Sequence, residues 1–131
     1  MSTDPASDNH RQEHLLVPLA AEDVAALGSD GEQLAALLAA ALHGLARLRT
    51  GRATTAELAA AIENTTGLLE RLEAVRDAAV RQDAARDVSI SHSDLAAAMH
   101  LKSRATAQTR RRTLLQTTPG ELERWATGTT G

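Results

Sequence analysis

Arginine side chains are concentrated in one short stretch, residues 103–115, which also carries the amide of Gln108. This stretch has the pattern of a helix that begins after a capping serine, Ser103, carries Arg104 in its first turn and then reaches Arg110, Arg111 and Arg112. A shorter helical pattern, capped by Ser93, precedes it across a tight turn. Two helices that meet at a short turn, with cations and amide groups on the second, suit insertion into the major groove of DNA.

Formal charge is unevenly distributed along the chain, whose total is −3. Residues 1–87 hold eight arginines against fourteen acidic residues, a balance of −6. Residues 88–120 hold five cations against Asp94 alone, a balance of +4, and residues 121–131 contribute −1. A polyanion responds to local charge more than to the total, so the positive segment predicts a directed binding surface on an otherwise acidic protein.

Composition predicts an all-α fold for this chain of 131 residues. It contains no Phe, no Tyr and one Trp, so its core must be built from Leu, Ala, Val and Ile. Abundant Ala and Leu favour helices, whereas strands would use aromatic residues, Val and Ile, which are scarce here. The absence of cysteine excludes disulfides, thiolate zinc sites and cysteine nucleophiles.

We expect a cytoplasmic, nucleoid-associated protein. The polar run that follows Met1 lacks the basic and apolar regions of a signal peptide. Apolar residues nowhere form an uninterrupted stretch of the roughly 20 needed to span a bilayer. The expected partners are double-stranded DNA and a second copy of the chain. Another protein is a further candidate partner, through the N-terminal helices. We expect no association with a membrane.

The sequence predicts four segments. Residues 1–14 are polar and aperiodic and are expected to form a disordered tail. Residues 15–87 are expected to form a helical hairpin, residues 88–118 a helix-turn-helix, and residues 119–131 a short C-terminal helix, anchored by the ring of Trp125, with a tail.

Two apolar stripes define the predicted hairpin. Thr54 or Thr55, followed by Glu57, predicts the N-cap of its second helix, which should run to about Asp87. Both stripes are wider than one helix contact requires, so we expect the hairpin to pack against other helices of the chain and also against a second copy, as a homodimer. Packing within the monomer alone is the alternative. Their members are Leu34, Leu38, Ala41, Leu45 and Leu48 in the first helix, and Leu58, Ala61, Ile62, Thr65, Leu68, Leu69, Leu72, Val75 and Ala79 in the second.

A small apolar core is predicted for the helix-turn-helix. Its members are Leu95, Ala96, Met99, Leu101, Ala107 and either Leu114 or Leu115. With these side chains turned inward, Arg104, either Thr106 or Gln108, and either Arg111 or Arg112 should face outward.

Residues 93–115 resemble the helix-turn-helix of small actinobacterial transcriptional regulators. In that family an Ala-rich first helix leads into Leu-x-Ser-Arg-x-x-Ala-x-x-Arg, and the matching positions are Leu101, Ser103, Arg104, Ala107 and Arg110. The resemblance does not extend to the hairpin. His100 stands where many such motifs carry Gly, which adopts a left-handed backbone conformation readily.

The resemblance implies a sequence-specific DNA-binding protein, a transcriptional regulator, that reads bases through the second helix. The expectation that it acts as a dimer comes from the apolar stripes of the hairpin. It makes Arg104, Thr106 and Gln108 candidates for base contacts, because Arg can pair two donors with guanine and Gln can pair its amide with adenine. Phosphate contacts are implied for Lys102, Ser103, Arg110, Arg111 and Arg112.

Other functions have less support. The alternative to DNA binding is a helical protein–protein interaction module with no DNA role. In that case the basic segment is a solvated helix in a bundle. Among the histidines, His10 and His14 have helical spacing, whereas His92 and His100 lie at the two ends of one short helix without an acidic partner, so no metal is expected. Neither a phosphate-binding glycine loop nor a nucleophile–base pair occurs in the sequence, and we expect neither enzymatic activity nor a cofactor.

Overall fold

The computed structural model describes residues 13–128, in which all regular structure is helical. The helices are α1 (Ala21–Thr50), α2 (Thr55–Ala84), α3 (His92–Ala98), α4 (Arg104–Leu115) and α5 (Glu121–Thr127). They make up 74% of the residues described and these residues contain no strand, so the predicted all-α class is confirmed. None of these helices is both long and apolar enough to cross a bilayer. Most of the predicted disordered tail, and residues 129–131 of the predicted C-terminal segment, lie outside the described residues.

The chain divides into two units, residues 1–33 and residues 34–131. In the described part of the first unit, residues 13–20 are non-helical and are followed by the first turns of α1. Gly28 interrupts α1 with φ 57° and ψ −144°, a backbone conformation outside the helical region. Glycine adopts a positive φ at this position without the clash that a Cβ atom would cause.

In the second unit, α1 and α2 run antiparallel where they touch. Gly44 is buried, and a Cβ atom built on it would lie 2.9 Å from the Cβ of Ala61. A Cβ built on Gly67, further along α2, would lie 4.0 Å from a methyl group of Leu37, which precedes Gly44 in α1. Small residues at the crossing therefore let the two helix backbones approach closely.

The start of α2 is fixed by a capping box. Thr54 Oγ1 accepts a hydrogen bond from Glu57 N at 3.1 Å, and Glu57 Oε1 accepts one from Thr54 N at 3.0 Å. Of the two threonines predicted as candidates, Thr54 is therefore the N-cap. The same carboxylate pairs with Arg47 Nε of α1 at 2.9 Å, so it links the ends of the two helices.

Helix α2 ends at Ala84, before the predicted end at about Asp87. The N–H of Ala85 closes the last turn onto Arg81 O and Gln82 O. The carboxylate of Asp83, one residue before the end of α2, accepts a hydrogen bond from Ile90 N at 2.9 Å. This bond holds the segment that follows α2 against the helix. This bond replaces the further helical turn that the sequence pattern predicts.

Large apolar side chains of α1 and α2 form an exposed face. Gly44 and Ala61 make the close contact between the two helices. Large apolar side chains that lie about a quarter turn further round each helix are therefore left outside this contact. The antiparallel direction of the helices brings both sets of side chains to the same side. Exposed fractions range from 40% at Leu58 to 70% at Ile62. The exposed apolar face consists of Leu38, Leu42, Leu45, Leu48, Leu58, Ile62, Leu69 and Leu72.

Helix α2 also carries the C-terminal helices. It packs against both α4 and α5, and α3 packs against α4. Arg81 of α2 makes two hydrogen bonds to the nearly buried carboxylate of Glu123 in α5 and donates a third to Thr117 O at 2.9 Å. Trp125, predicted to anchor this segment, is half-buried in α5.

Candidate nucleic-acid interface

The cap of α3, the first helix of the basic segment, lies two residues earlier than predicted. Ser91 is the N-cap, and its Oγ accepts a hydrogen bond from Asp94 N at 3.1 Å. The prediction of Ser93 as the cap is wrong, because the hydroxyl of Ser91 already satisfies the free N–H of the first turn. Ser93 lies inside α3 and is exposed.

The turn between α3 and α4 is closed by two backbone hydrogen bonds around a left-handed residue. His100 has φ 55°, and its N–H donates to Ala97 O at 3.2 Å. The next N–H, from Leu101, donates to Ala96 O at 2.8 Å, which completes the pattern of a Schellman motif. His100 thus adopts the conformation for which many similar motifs use Gly, and the turn retains this geometry without a glycine.

Helix α4 begins at the predicted position. Ser103 Oγ accepts a hydrogen bond from Thr106 N at 3.2 Å and lies 3.0 Å from the hydroxyl oxygen of Thr106. This confirms Ser103 as the N-cap. The hydroxyl groups of Ser103 and Thr106, predicted to contact phosphate and base respectively, are therefore both engaged in the cap of α4.

The predicted small core packs the two helices together. Ala107 of α4 is completely buried and lies in one cluster with Leu95 and Ala96 of α3 and Val80 of α2. Met99, Leu101 and Leu114 pack around this cluster, whereas Leu115 is 49% exposed. The sequence did not decide between Leu114 and Leu115 as the core residue, and the structure shows that Leu114 faces inward.

Arg111 holds α4 against the rest of the unit. Its Nη2 donates to Ile90 O at 2.7 Å and lies 3.5 Å from the Asp83 carboxylate, which also receives the N–H of Ile90. The side chains of Arg111 and Asp83 are 11% and 10% exposed. Arg111 was predicted to contact phosphate, but its guanidinium lies on the inner side of α4, where this ion pair occupies it.

The remaining predicted polar side chains are exposed. Arg104, Gln108 and Arg112 lie at intervals of four residues along α4 and so share one side of it, the basic face. Lys102 in the turn and Arg110 on α4 are exposed as well. Within residues 13–128, none of these five side chains makes a hydrogen bond or ion pair. Their donors are free for an external acceptor.

Sequence reasoning missed the role of Asp83. It lies near the end of α2, far along the chain from Arg111, and no local pattern distinguishes it from the neighbouring acidic residues. The one signal, which Asp83 shares with Asp87, is an acidic residue near the C-terminus of a helix, where the helix dipole makes it unfavourable unless another group pairs with it. Here the partners are Ile90 N, Arg111 and Arg86, whose Nη1 lies 3.7 Å from Asp83 Oδ1.

The described residues do not bring together a metal-binding cluster. No group of three or more His, Asp or Glu side chains between residues 13 and 128 is arranged to hold an ion. His10, one of the histidines considered from the sequence, lies outside this range.

No protein-family model, curated protein sequence or solved structure matches the chain. Its function is therefore inferred from its side chains and their geometry.

Proposed function

We propose that the chain is a sequence-specific DNA-binding protein that inserts α4 into the major groove and acts as a dimeric transcriptional regulator. The observation that carries the proposal is the basic face: Arg104, Gln108 and Arg112 on one side of a capped helix, exposed and unpaired among the described residues. A helix of this kind matches the width of the major groove, and its side chains have the donor chemistry that base edges and phosphates accept.

The placement of the charges also supports DNA as the partner. Arg111 is neutralised by Asp83, whereas Lys102, Arg104, Arg110 and Arg112 have no acidic partner in the described residues. If the basic segment served only to stabilise the fold, we would expect its cations to be paired as Arg111 is. The first-turn position of Arg104 is best placed to reach a base edge, with Gln108 one turn further along. Lys102, Arg110 and Arg112 are assigned to phosphates.

We assign the exposed apolar face to a second copy of the chain. Eight large apolar side chains, each at least 40% exposed, lie on one side of the α1–α2 pair. Contiguous apolar surface of this kind marks an interface, and a two-fold dimer is the commonest way to cover it. Such a dimer presents two copies of α4, so the DNA site should be an inverted repeat with half-sites about 10 bp, or a multiple of this, apart.

The experiment for DNA binding is a gel shift with fragmented genomic DNA, followed by affinity measurement on the selected site. We expect Arg104→Ala to weaken specific binding by about 1–3 kcal/mol and to relax preference at one base pair. Arg49→Ala is the matched control, because Arg49 is an exposed arginine in the last turn of α1, outside the basic segment. Equal affinity of the wild type, Arg104→Ala and Arg49→Ala for every duplex tested would refute the proposal.

The dimer is tested by light scattering at micromolar concentration. We expect wild-type protein to have twice the mass of the chain and Ile62→Glu, which places a charge on the exposed apolar face, to shift it to the monomer. Glu63→Gln, at the exposed neighbouring position, should leave the dimer intact. A monomeric wild type, with and without DNA, would exclude this assembly.

The exposed apolar face also favours a second candidate function, a helical interaction module that binds another protein and has no DNA role. The two candidates differ in their response to salt. DNA binding requires affinity for random duplex that falls steeply as salt rises, because condensed counterions are released. A module that binds protein through apolar side chains does not require any affinity for duplex DNA.

A further inference from the structure

A cavity of about 310 Å³ lies between α2 and α4. Its apolar lining comes from Val80, Met99 and Leu114, members of the small core and the residues around it. Its polar lining consists of three arginines, one carboxylate and three threonines: Arg76, Arg110, Arg111, Asp77, Thr109, Thr113 and Thr117. Small-molecule sites have this character, an apolar concavity with polar groups beside it, and this cavity has the size of the smaller ones. We propose that it binds a small, mainly apolar molecule that carries one anionic group.

The charges around the cavity select an anion. Arg76 lies 3.6 Å from the carboxylate of its neighbour Asp77, and Arg111 is paired with Asp83. Arg110 alone among the lining cations has no acidic partner in the described residues. One carboxylate or sulfonate group on the ligand supplies the missing counter-charge, and a charge-assisted hydrogen bond to the guanidinium orients it.

The site links ligand binding to DNA binding, a consequence that rests on the proposed function. Arg110 is assigned to a phosphate, so an anion bound to its guanidinium removes one phosphate contact. The ligand should then weaken DNA binding, and DNA should weaken ligand binding by the same factor.

The experiment uses 8-anilinonaphthalene-1-sulfonate, an apolar anion, added to the full-length protein without DNA. We expect saturable binding with one site per chain, and amide shifts in ¹H–¹⁵N spectra centred on Thr109, Arg110, Thr113 and Thr117, which line the cavity. Thr113→Phe should fill the cavity and weaken binding about tenfold or more, whereas Gln82→Phe, at an exposed position of α2 outside the lining, should not.

Arg110→Gln provides a second variant whose folding is not at risk, since the side chain is exposed and unpaired in the described part of the chain. We expect it to weaken binding of the probe about tenfold, in line with loss of a charge-assisted hydrogen bond. Amide shifts confined to the exposed apolar face, with unchanged affinity in Thr113→Phe and Arg110→Gln, would overturn the proposal. Because this experiment contains no DNA, its result tests the cavity independently of the proposed DNA binding.

Discussion

The carboxylate of Asp83 joins three segments of the chain, and we expect its removal to destabilise the folded protein. Oδ2 accepts the N–H of Ile90 at 2.9 Å and lies 3.5 Å from Arg111 Nη2. Asp83→Ala would remove both interactions, and with them the exposed ion pair between Arg86 Nη1 and Asp83 Oδ1 at 3.7 Å. It would leave the guanidinium of Arg111, on a side chain that is 11% exposed, with the carbonyl of Ile90 as its partner in the described residues.

The expected magnitude follows from this burial. Breaking a buried ion pair by deleting one partner costs about 3–5 kcal/mol. The surviving bond from Arg111 to Ile90 O reduces the penalty, so we expect Asp83→Ala to lower the free energy of unfolding by about 2–4 kcal/mol. Asp83→Asn retains an oxygen acceptor for Ile90 N–H and should cost less, about 1–2 kcal/mol.

A double-mutant cycle isolates the pair itself. Replacing both partners with apolar residues removes the buried charge together with its counter-charge, and such replacements are often neutral. Asp83→Leu combined with Arg111→Met should therefore cost at least about 1 kcal/mol less than the sum of the two single substitutions.

Urea unfolding provides the measurement, followed in parallel by far-ultraviolet circular dichroism and by the fluorescence of Trp125, the sole tryptophan. If the slope of the free energy of unfolding against urea concentration is unchanged, shifts in the unfolding midpoint report changes in stability. A loss below about 1 kcal/mol in Asp83→Ala, or additive effects in the cycle, would refute the conclusion that this pair holds α4 in place.

Three further substitutions test local features. His100→Gly should raise stability by about 1 kcal/mol, because φ 55° is strained for His and free for Gly; an unchanged urea midpoint would contradict this. Ser103→Ala should lower stability by about 1 kcal/mol through loss of the α4 cap, and unchanged stability would show that the cap contributes nothing. The backbone N–H of Thr54 and then the charge of Arg47 lower the pKa of Glu57 below its usual value of 4.5. The stability advantage of wild type over Glu57→Gln should therefore be present above pH 4.5 and be lost as pH falls through the lowered pKa; equal differences in thermal midpoint at pH 7 and pH 3 would contradict it.

Features that depend on neighbouring residues could be predicted from the sequence. The all-α class follows from composition, and the caps at Thr54 and Ser103 are local, because a cap and the N–H that it accepts are three residues apart. Ser91 and Ser93 show the limit of such reasoning. Both serines precede the apolar residues of α3, and the hydrogen bond from Asp94 N to Ser91 Oγ distinguishes them.

Features that depend on distant residues could not be predicted. Three adjacent arginines, residues 110–112, are equivalent in the sequence, yet Arg111 is held by Asp83 while its two neighbours are exposed. Likewise, the leucine stripes indicated apolar faces but not which residues make the helix contact. The close approach at Gly44 and Ala61 leaves Leu45 and Ile62 exposed.

The salt dependence of affinity for a random DNA duplex tests the proposed function most directly. Measured by fluorescence anisotropy between 50 and about 300 mM KCl, log K should fall linearly with log salt, with a slope of about −0.9 for each phosphate contact. We expect Lys102→Ala, Arg110→Ala and Arg112→Ala each to reduce the magnitude of this slope by about 1 and Arg49→Ala to leave it unchanged. No binding of folded wild-type protein at low salt, or one slope shared by wild type and all four variants, would contradict the proposed function.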